Sequence, residues 1–274
     1  MDIEAYLARI GFTGARVPTI ETLSAIQLAH AQSIAFENLS PLMGAPVPLD
    51  LPSLEAKLVH GGRGGYCFEQ NALFAEALRV LGFDVTGLAA RVVWGGPEDA
   101  IRMRSHMLLK VTAGSESYLA DVGFGGQTPT GPLRFLPDVE QATPHESFRL
   151  VPVESAGPPE LKLQSFVGGM WKSLYRFTLE PQYPADYEVA NYFVSTHPGS
   201  QFRTGLRAAR PVPGGRYGLA NHQLTFHRLD GSTERRMLAS VGEVRETLVS
   251  VFGLTLPDAA ELDPVLARAC GFPT

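Results

Sequence analysis

Cysteine is scarce in this chain. Only Cys67 and Cys270 occur, too few and too far apart to form a disulfide framework, and the scarcity fits a reducing cytosol. An excess of basic residues is also missing. The 23 Lys and Arg against 28 Asp and Glu give a net charge of -5 and a pI near 5.8. That is the reverse of the basic footprint of a nucleic-acid binder, though it leaves room for a local basic pocket that takes a phosphorylated molecule. The start, Met1-Asp2-Ile3-Glu4, is acidic and has neither the basic opening nor the apolar run of a signal peptide. No stretch reaches the ~20 apolar residues of a spanning helix. Repeats, low-complexity tracts and charge runs are absent too. What remains is ordinary for a globular protein: 45% hydrophobic residues over 274 positions and room for two or three domains. The expectation is a soluble, cytoplasmic protein with no nucleic-acid or membrane partner.

The order of elements is helices, then strands, then a mixed end. Ile3, Tyr6, Leu7 and Ile10 form one face stopped by Gly11, and Thr19 caps a helix carrying Leu23, Ile26 and His30. Asp50 opens a third helix with Pro52 just inside its start, ending at Gly61-Gly62. His30 falls on an apolar face and reads as a packing histidine. From about Phe83 the period changes. Val85 to Trp94, Ser105 to Val111, Ser117 to Val122, Phe148 to Val153, Leu161 to Val167 and Leu174 to Thr178 are short β-like runs separated by turn residues, which suggests an antiparallel sheet or barrel. Then come a helical stretch from Tyr187 to Phe193, two more β-like runs, a Ser240-capped helix and a short helix opened by Pro264.

The stretch with chemical character is Arg63-Gly-Gly-Tyr-Cys67-Phe-Glu-Gln-Asn71. Glycine pairs at 61–62 and 64–65 bend the chain, and Phe74, Ala77, Leu78 and Leu81 then recur at helical spacing up to Gly82. Cys67 therefore stands in the first turn of a helix, where the macrodipole favours a thiolate. The glycines also let a substrate approach the backbone. A free cysteine opening a helix is more often a small core residue, so a nucleophile needs a base beside it.

That base is His106. Alternation from Ser105 to Val111 puts Met107, Leu109 and Val111 on one face and His106 on the other. A two-residue turn at Ala113-Gly114 sets Thr112 opposite Ser115, and the same register sets His106 opposite Asp121. Their Cβ atoms would then be roughly 5 Å apart. One ring nitrogen would bond the carboxylate and the other would stay free for a thiol. Cys67, His106 and Asp121 thus form a candidate triad, but proteases, transglutaminases and acyltransferases all use such triads.

These motifs resemble the arylamine N-acetyltransferases, bacterial type, nearly end to end. The Arg63 to Asn71 stretch resembles that family's nucleophile motif. Ser105-His106-Met107 resembles its histidine segment, with serine where threonine is usual, and Leu119-Ala-Asp121-Val-Gly-Phe-Gly125 resembles its aspartate segment. Tyr6 to Gly11, Phe36-Glu37-Asn38-Leu39 and Asn191 to Phe202 add further similarity. The resemblance implies an α+β fold with a papain-like catalytic core. A helical bundle (1–85) would carry the nucleophile, an antiparallel β-barrel (86–195) would carry His106 and Asp121, and an α/β lid (196–274) would follow.

It further implies acetyl-CoA as co-substrate, an aromatic amine, hydrazine or N-hydroxyarylamine as acceptor, and no metal. His106 would take the Cys67 proton, acetyl-Cys67 would form and CoA would leave. Phe36, Phe124 and Phe202, with Gly125 and Gly126, are expected in the acceptor and CoA cleft. The CoA phosphates are expected near Gly125-Gly126 or the Ser195 to Phe202 run. Arg63 and Glu37 are expected as an ion pair steadying the bend, and Glu69 is expected to face away or be paired. His197, His222, His227 and Cys270 read as packing or surface residues. The rivals are an amide synthase of the same fold and a cysteine hydrolase or transglutaminase-like enzyme.

Overall fold

The computed structural model describes residues 1–154 and 157–273. Helices dominate its first part. Helix α1 (Ile3–Ile10) is capped by Asp2, which accepts from the Ala5 N–H at 3.0 Å, and ends on Gly11 in the left-handed region. Helix α2 (Ile20–Ser33) is capped by Thr19. After strand β1 (Phe36–Glu37) and helix α3 (Leu39–Met43) come α4 (Leu51–Leu54) and a π-helical turn (Glu55–His60). The expected third helix therefore exists but widens, and Gly61 closes it with a bond from its N–H to the Ala56 carbonyl. Helix α5 (Cys67–Val80) follows, with Cys67 as its first residue.

An antiparallel sheet of eight strands comes next: β2 (Asp84–Val92), β3 (Arg104–Ala113), β4 (Glu116–Ala120), β5 (Leu133–Arg134), β6 (Gln141–Ala142), β7 (Ser147–Val153), β8 (Glu160–Val167) and β9 (Met170–Thr178). Their order is β5-β4-β3-β2-β9-β8-β7-β6. The sheet curls until its edge strands meet. Gln141 on β6 then bonds both the N–H and the carbonyl of Arg134 on β5, at 2.7 and 2.9 Å. The result is a nearly closed barrel whose seam is held by a side chain.

Alternation along β3 decides which core each residue joins. Met107, Leu109 and Val111 pack on the helices with Leu23, Phe74 and Leu78. Leu108 points into the barrel with Leu88, Phe148 and Tyr175. His106 shares the parity of Leu108, so it belongs to the barrel side.

After α6 (Pro184–Thr196) and the short α7 (Gln201–Thr204), a second sheet forms from β10 (Arg207–Val212), β11 (Gly215–Ala220), β12 (Gln223–Arg228) and β13 (Thr233–Met237). Strand β1 completes its edge through Phe36 opposite Ala209. Helices α8 (Val241–Ser250) and α9 (Ala259–Cys270) cover the far face. Pro264 does not open the last helix. Asp258 caps it, and Pro264 lies inside it. The Asp258 side chain supplies a stronger start by accepting the Ala260 N–H at 2.8 Å.

The bend before Cys67 is fixed by close packing. A Cβ on Gly64 would sit 2.0 Å from the Ala35 carbonyl oxygen. Arg63 donates to Glu37 Oε1 from Nε at 2.9 Å and Nη2 at 2.7 Å, while Glu37 Oε2 accepts the Leu39 N–H. The Glu37 side chain is fully buried. Gln70 adds three donations, to the carbonyls of Ile34, Ala35 and Gly65. His30 is the packing residue expected: it lies between Tyr6 and Gln70, and burial pushes its pKa down to about 4. Arg63→Gln should leave the buried Glu37 charge unpaired and cost about 3–5 kcal/mol. A chemical-denaturation midpoint equal to that of the unsubstituted protein would contradict this.

Candidate active site

The site forms where three elements meet: the start of α5, the β3–β4 pair and the glycine-rich segment after β4. The observed turn between β3 and β4 falls one residue later than expected. Ala113 pairs with Glu116 across Gly114-Ser115, and Gly114 takes the positive φ (+64°) that hairpins with glycine first in the turn require. The ladder is therefore two residues away from the expected register, with Thr112 opposite Ser117. Continuing it sets Asp121 opposite Leu108, diagonal to His106. A slip of two preserves the face of every side chain, whereas a slip of one reverses it. The pairing consequently holds: His106 Nε2 lies 2.7 Å from Asp121 Oδ2. The diagonal reach is spanned because the histidine side chain is long.

Asp121 is fully buried. Its Oδ2 accepts from His106 and from the Tyr175 hydroxyl at 3.0 Å. Its Oδ1 accepts from Asn71 Nδ2 at 3.0 Å and the Gly123 N–H at 2.8 Å. Taking a carboxylate out of water costs several kcal/mol. Four bonds to a charged acceptor, at about 1.5–3 kcal/mol each, offset that cost. Despite the burial, which opposes its charge, the His106 imidazolium and these bonds hold the Asp121 pKa below the usual carboxylate value.

His106 shows the reciprocal effect. Burial opposes its charge, but Asp121, and to a smaller degree Cys67, outweigh that and raise its pKa to about 10. At neutral pH the ring is then an imidazolium. Nε2 is committed to Asp121, which leaves Nδ1 for the cysteine. The Cys67 Sγ lies 3.6 Å from the Ser105 carbonyl oxygen, on the strand that carries His106, and is largely buried. Phe124 and Tyr175 meet the imidazole at centroid distances of 5.2 and 4.9 Å and keep it dry.

Two contributors escaped the sequence reading. Asn71 ties α5 to the barrel: Nδ2 also donates to the Met107 carbonyl at 2.8 Å, and Oδ1 accepts the Val122 N–H at 3.1 Å. It stands one helical turn after Cys67, a spacing visible in the sequence. Tyr175 comes from β9, far along the chain, and nothing in the sequence singles it out. Gly123 is needed for fit, since a Cβ there would sit 2.6 Å from the Cys67 Cα and 2.7 Å from Asn71 Nδ2.

A cavity of about 780 Å³ opens over Cys67 and His106. Phe36, Phe124, Phe202, Gly125 and Gly126 all line it. Phe36 and Phe202 lie 6.0 Å apart, and Phe202 also packs 5.5 Å from Tyr66. Arg63 and Glu37 lie beneath the bend, outside the lining. Glu69 is paired, with Lys57 Nζ 2.5 Å from Oε1 and the Tyr66 N–H donating to Oε2. His227, read as a packing or surface residue, is among the residues at the cavity wall. Among the described residues no cluster of His, Cys, Asp and Glu could hold a metal ion, and no helix is long and apolar enough to cross a membrane.

Chemically, the arrangement sets a cysteine sulfur at a helix start beside a histidine that is cationic at neutral pH. Asp121→Asn removes the charge that holds the proton on His106, and iodoacetamide should alkylate Cys67 more slowly at pH about 7 in that variant than in the unsubstituted protein. Equal rates for the two proteins would contradict the electrostatic account. The same pKa has a stability consequence. With a folded value of about 10 against an ordinary 6.5, His106 stabilises the fold fully below pH 6.5, and the contribution is lost as pH rises toward 10.

Comparison with known proteins identifies the arrangement. A family model described as N-acetyltransferase matches residues 19–261. An arylamine N-acetyltransferase of Mycolicibacterium smegmatis is 44% identical over 267 residues, covering 96% of this chain and 95% of the relative. An arylamine N-acetyltransferase / N-hydroxyarylamine O-acetyltransferase of Salmonella typhimurium is 37% identical, covering 97% and 95%. The solved structure of the Mycobacterium marinum arylamine N-acetyltransferase in complex with CoA superposes with a TM-score of 0.93 at 41% identity, covering 98% of this chain and all of that one. Fold, site and sequence agree over nearly the whole length, and the chain belongs to the arylamine N-acetyltransferase family.

Proposed function

We propose that this protein transfers an acetyl group from acetyl-CoA to the nitrogen of arylamines or arylhydrazines, or to N-hydroxyarylamines, through an acetyl-Cys67 intermediate. The observation that carries the reading is the buried Cys67–His106–Asp121 arrangement opening onto an aromatic-lined cavity. Family membership supports the acetyl donor and the aromatic acceptor, and the CoA complex of the M. marinum relative supports CoA as the carrier.

The cycle follows from the charge state of His106. In the resting enzyme Cys67 is the thiolate and His106 the imidazolium. The Cys67 sulfur attacks the thioester carbonyl and forms a tetrahedral oxyanion. The Cys67 backbone N–H, at the first position of α5, has no acceptor inside its own helix and suits that oxyanion. The carbon–sulfur bond to CoA then breaks, and the departing sulfur takes the proton from His106. Acetyl-Cys67 remains beside a neutral imidazole.

The acceptor nitrogen attacks this thioester while neutral His106 removes its proton. Collapse expels the Cys67 thiolate and restores the starting ion pair. Asp121 keeps the ring oriented throughout and stabilises its cation. Phe36, Phe124 and Phe202 offer aromatic faces to a flat acceptor, with edge-to-face or offset contacts of the usual kind. The apolar walls also keep water away from acetyl-Cys67, which favours transfer over hydrolysis.

The direct test is incubation with acetyl-CoA alone, then intact-mass and peptide mass spectrometry. One acetyl group should appear on Cys67, disappear on addition of an arylamine and fail to form in Cys67→Ser. Absence of the adduct in the unsubstituted protein would remove the central step.

A further inference from the structure

Strand β3 loses both of its ladders beside the nucleophile. Its pairing with β2 runs to Ala90 opposite His106, and the next pair is Arg91 opposite Arg104. Ser105 is therefore the extra residue of a bulge, with no partner on β2. On the other side, β3 pairs with β4 only as far as Leu109 opposite Ala120. Continuing that register would set Met107 opposite Val122, but the Asn71 carboxamide stands between them. Its Nδ2 donates to the Met107 carbonyl at 2.8 Å, and its Oδ1 accepts the Val122 N–H at 3.1 Å. A side chain of α5 thus satisfies the backbone groups that a strand would otherwise pair.

Ser105 is left out of both ladders. Its carbonyl oxygen faces the Cys67 sulfur at 3.6 Å, and Cys67 stands one turn before Asn71 on the same face of α5. A thiol is a weak hydrogen-bond donor, and a sulfur that carries an acetyl group has no hydrogen to give. Formation of acetyl-Cys67 therefore takes that donor away from a backbone acceptor beside the thioester, and an acceptor without a donor is costly. Ser105 lines the cavity, so an incoming molecule can supply the missing hydrogen.

Resting on the acetyl-transfer reading above, we propose that the Ser105 carbonyl orients the attacking nitrogen of the acceptor, accepting one of its N–H groups while His106 takes the proton of the other. The class this selects is primary amines and hydrazines, which carry two hydrogens on the attacking atom. The nitrogen lone pair forms the bond to the acetyl carbon, and the π pair of the acetyl carbonyl moves onto its oxygen. Nδ1 of the neutral His106 ring takes one proton from that nitrogen. The oxyanion then re-forms the C=O bond, and the carbon–sulfur bond breaks with its electron pair on Cys67. The amide departs still carrying the hydrogen that Ser105 held. A secondary amine has one hydrogen on nitrogen and cannot serve both groups.

The test starts from acetyl-Cys67 formed with acetyl-CoA and freed of CoA. Its discharge by aniline and by N-methylaniline is timed and compared with the reaction of the same two amines with phenyl thioacetate in solution. The preference for aniline should be about tenfold or more larger on the enzyme, the scale of leaving one buried acceptor unsatisfied. A second measurement separates this from crowding by the methyl group. The dipeptide Ser-His occurs once in the chain, at Ser105-His106, so protein labelled with 13C-carbonyl serine and 15N-histidine gives one coupled carbonyl signal. With Cys67 blocked as its methyl disulfide, which has no hydrogen to donate, aniline should move that signal downfield. N,N-dimethylaniline, which lacks an N–H, should not. A preference no larger than in solution would overturn the proposal, as would a carbonyl signal that aniline leaves in place or that both amines move alike. In each of those cases acetyl-Cys67 still forms and the acetyl-transfer reading stands. If acetyl-Cys67 does not form, that reading fails and this proposal with it.

Discussion

The buried carboxylate of Asp121 is the point on which the site depends. It is far from water, yet four donors from four parts of the chain keep it charged: Asn71 from α5, His106 from β3, Tyr175 from β9 and the Gly123 N–H from its own loop. Each donor ties an element to the same two oxygens. One group therefore docks the helix that begins with Cys67 against the barrel that carries the histidine. It also sets the charge of the imidazole. Structure and reactivity have one electrostatic source here, so a change at Asp121 must disturb both.

The opening of the site has a separate origin in the bend before Cys67. Arg63 and the buried Glu37 fix one side of it, Gln70 stitches its carbonyls together, and Gly64 fits against the Ala35 carbonyl with no room for a methyl group. Strand β1 links that bend to the C-terminal sheet, bridging Gly65 on one side and pairing with β10 on the other. The cleft over Cys67 is therefore bounded by parts that share a backbone ladder as well as side-chain packing. Phe36, Phe124 and Phe202 line the cleft, and Arg102, Arg207 and Arg216 border it as well.

Much of this was legible in the sequence, for reasons that can be named. Glycine pairs followed by a helical period gave Cys67 its place at a helix start. Alternation gave His106 its face. The expected β3–β4 register was off by two, but parity alone decides whether the two side chains meet, so the His106–Asp121 pair survived the error. Local signals did less well where competing caps existed: Pro264 reads as a helix start, yet the Asp258 carboxylate starts α9 earlier. Tyr175 was invisible as a functional residue because its contact crosses the chain, to Asp121. His227 reaches the cavity wall through a contact of the same kind. Only the pairing of β11 with β12 brings it beside Arg216 and over the cavity.

The central claim is that Asp121 keeps His106 protonated at neutral pH. The most direct measurement is the 15N and 13C chemical shift of the His106 ring, followed by NMR across pH in selectively labelled protein. The account predicts a doubly protonated ring at pH about 7 that loses its proton only toward the raised value near 10. A neutral His106 ring at pH about 7, titrating at or below the ordinary histidine range, would contradict it.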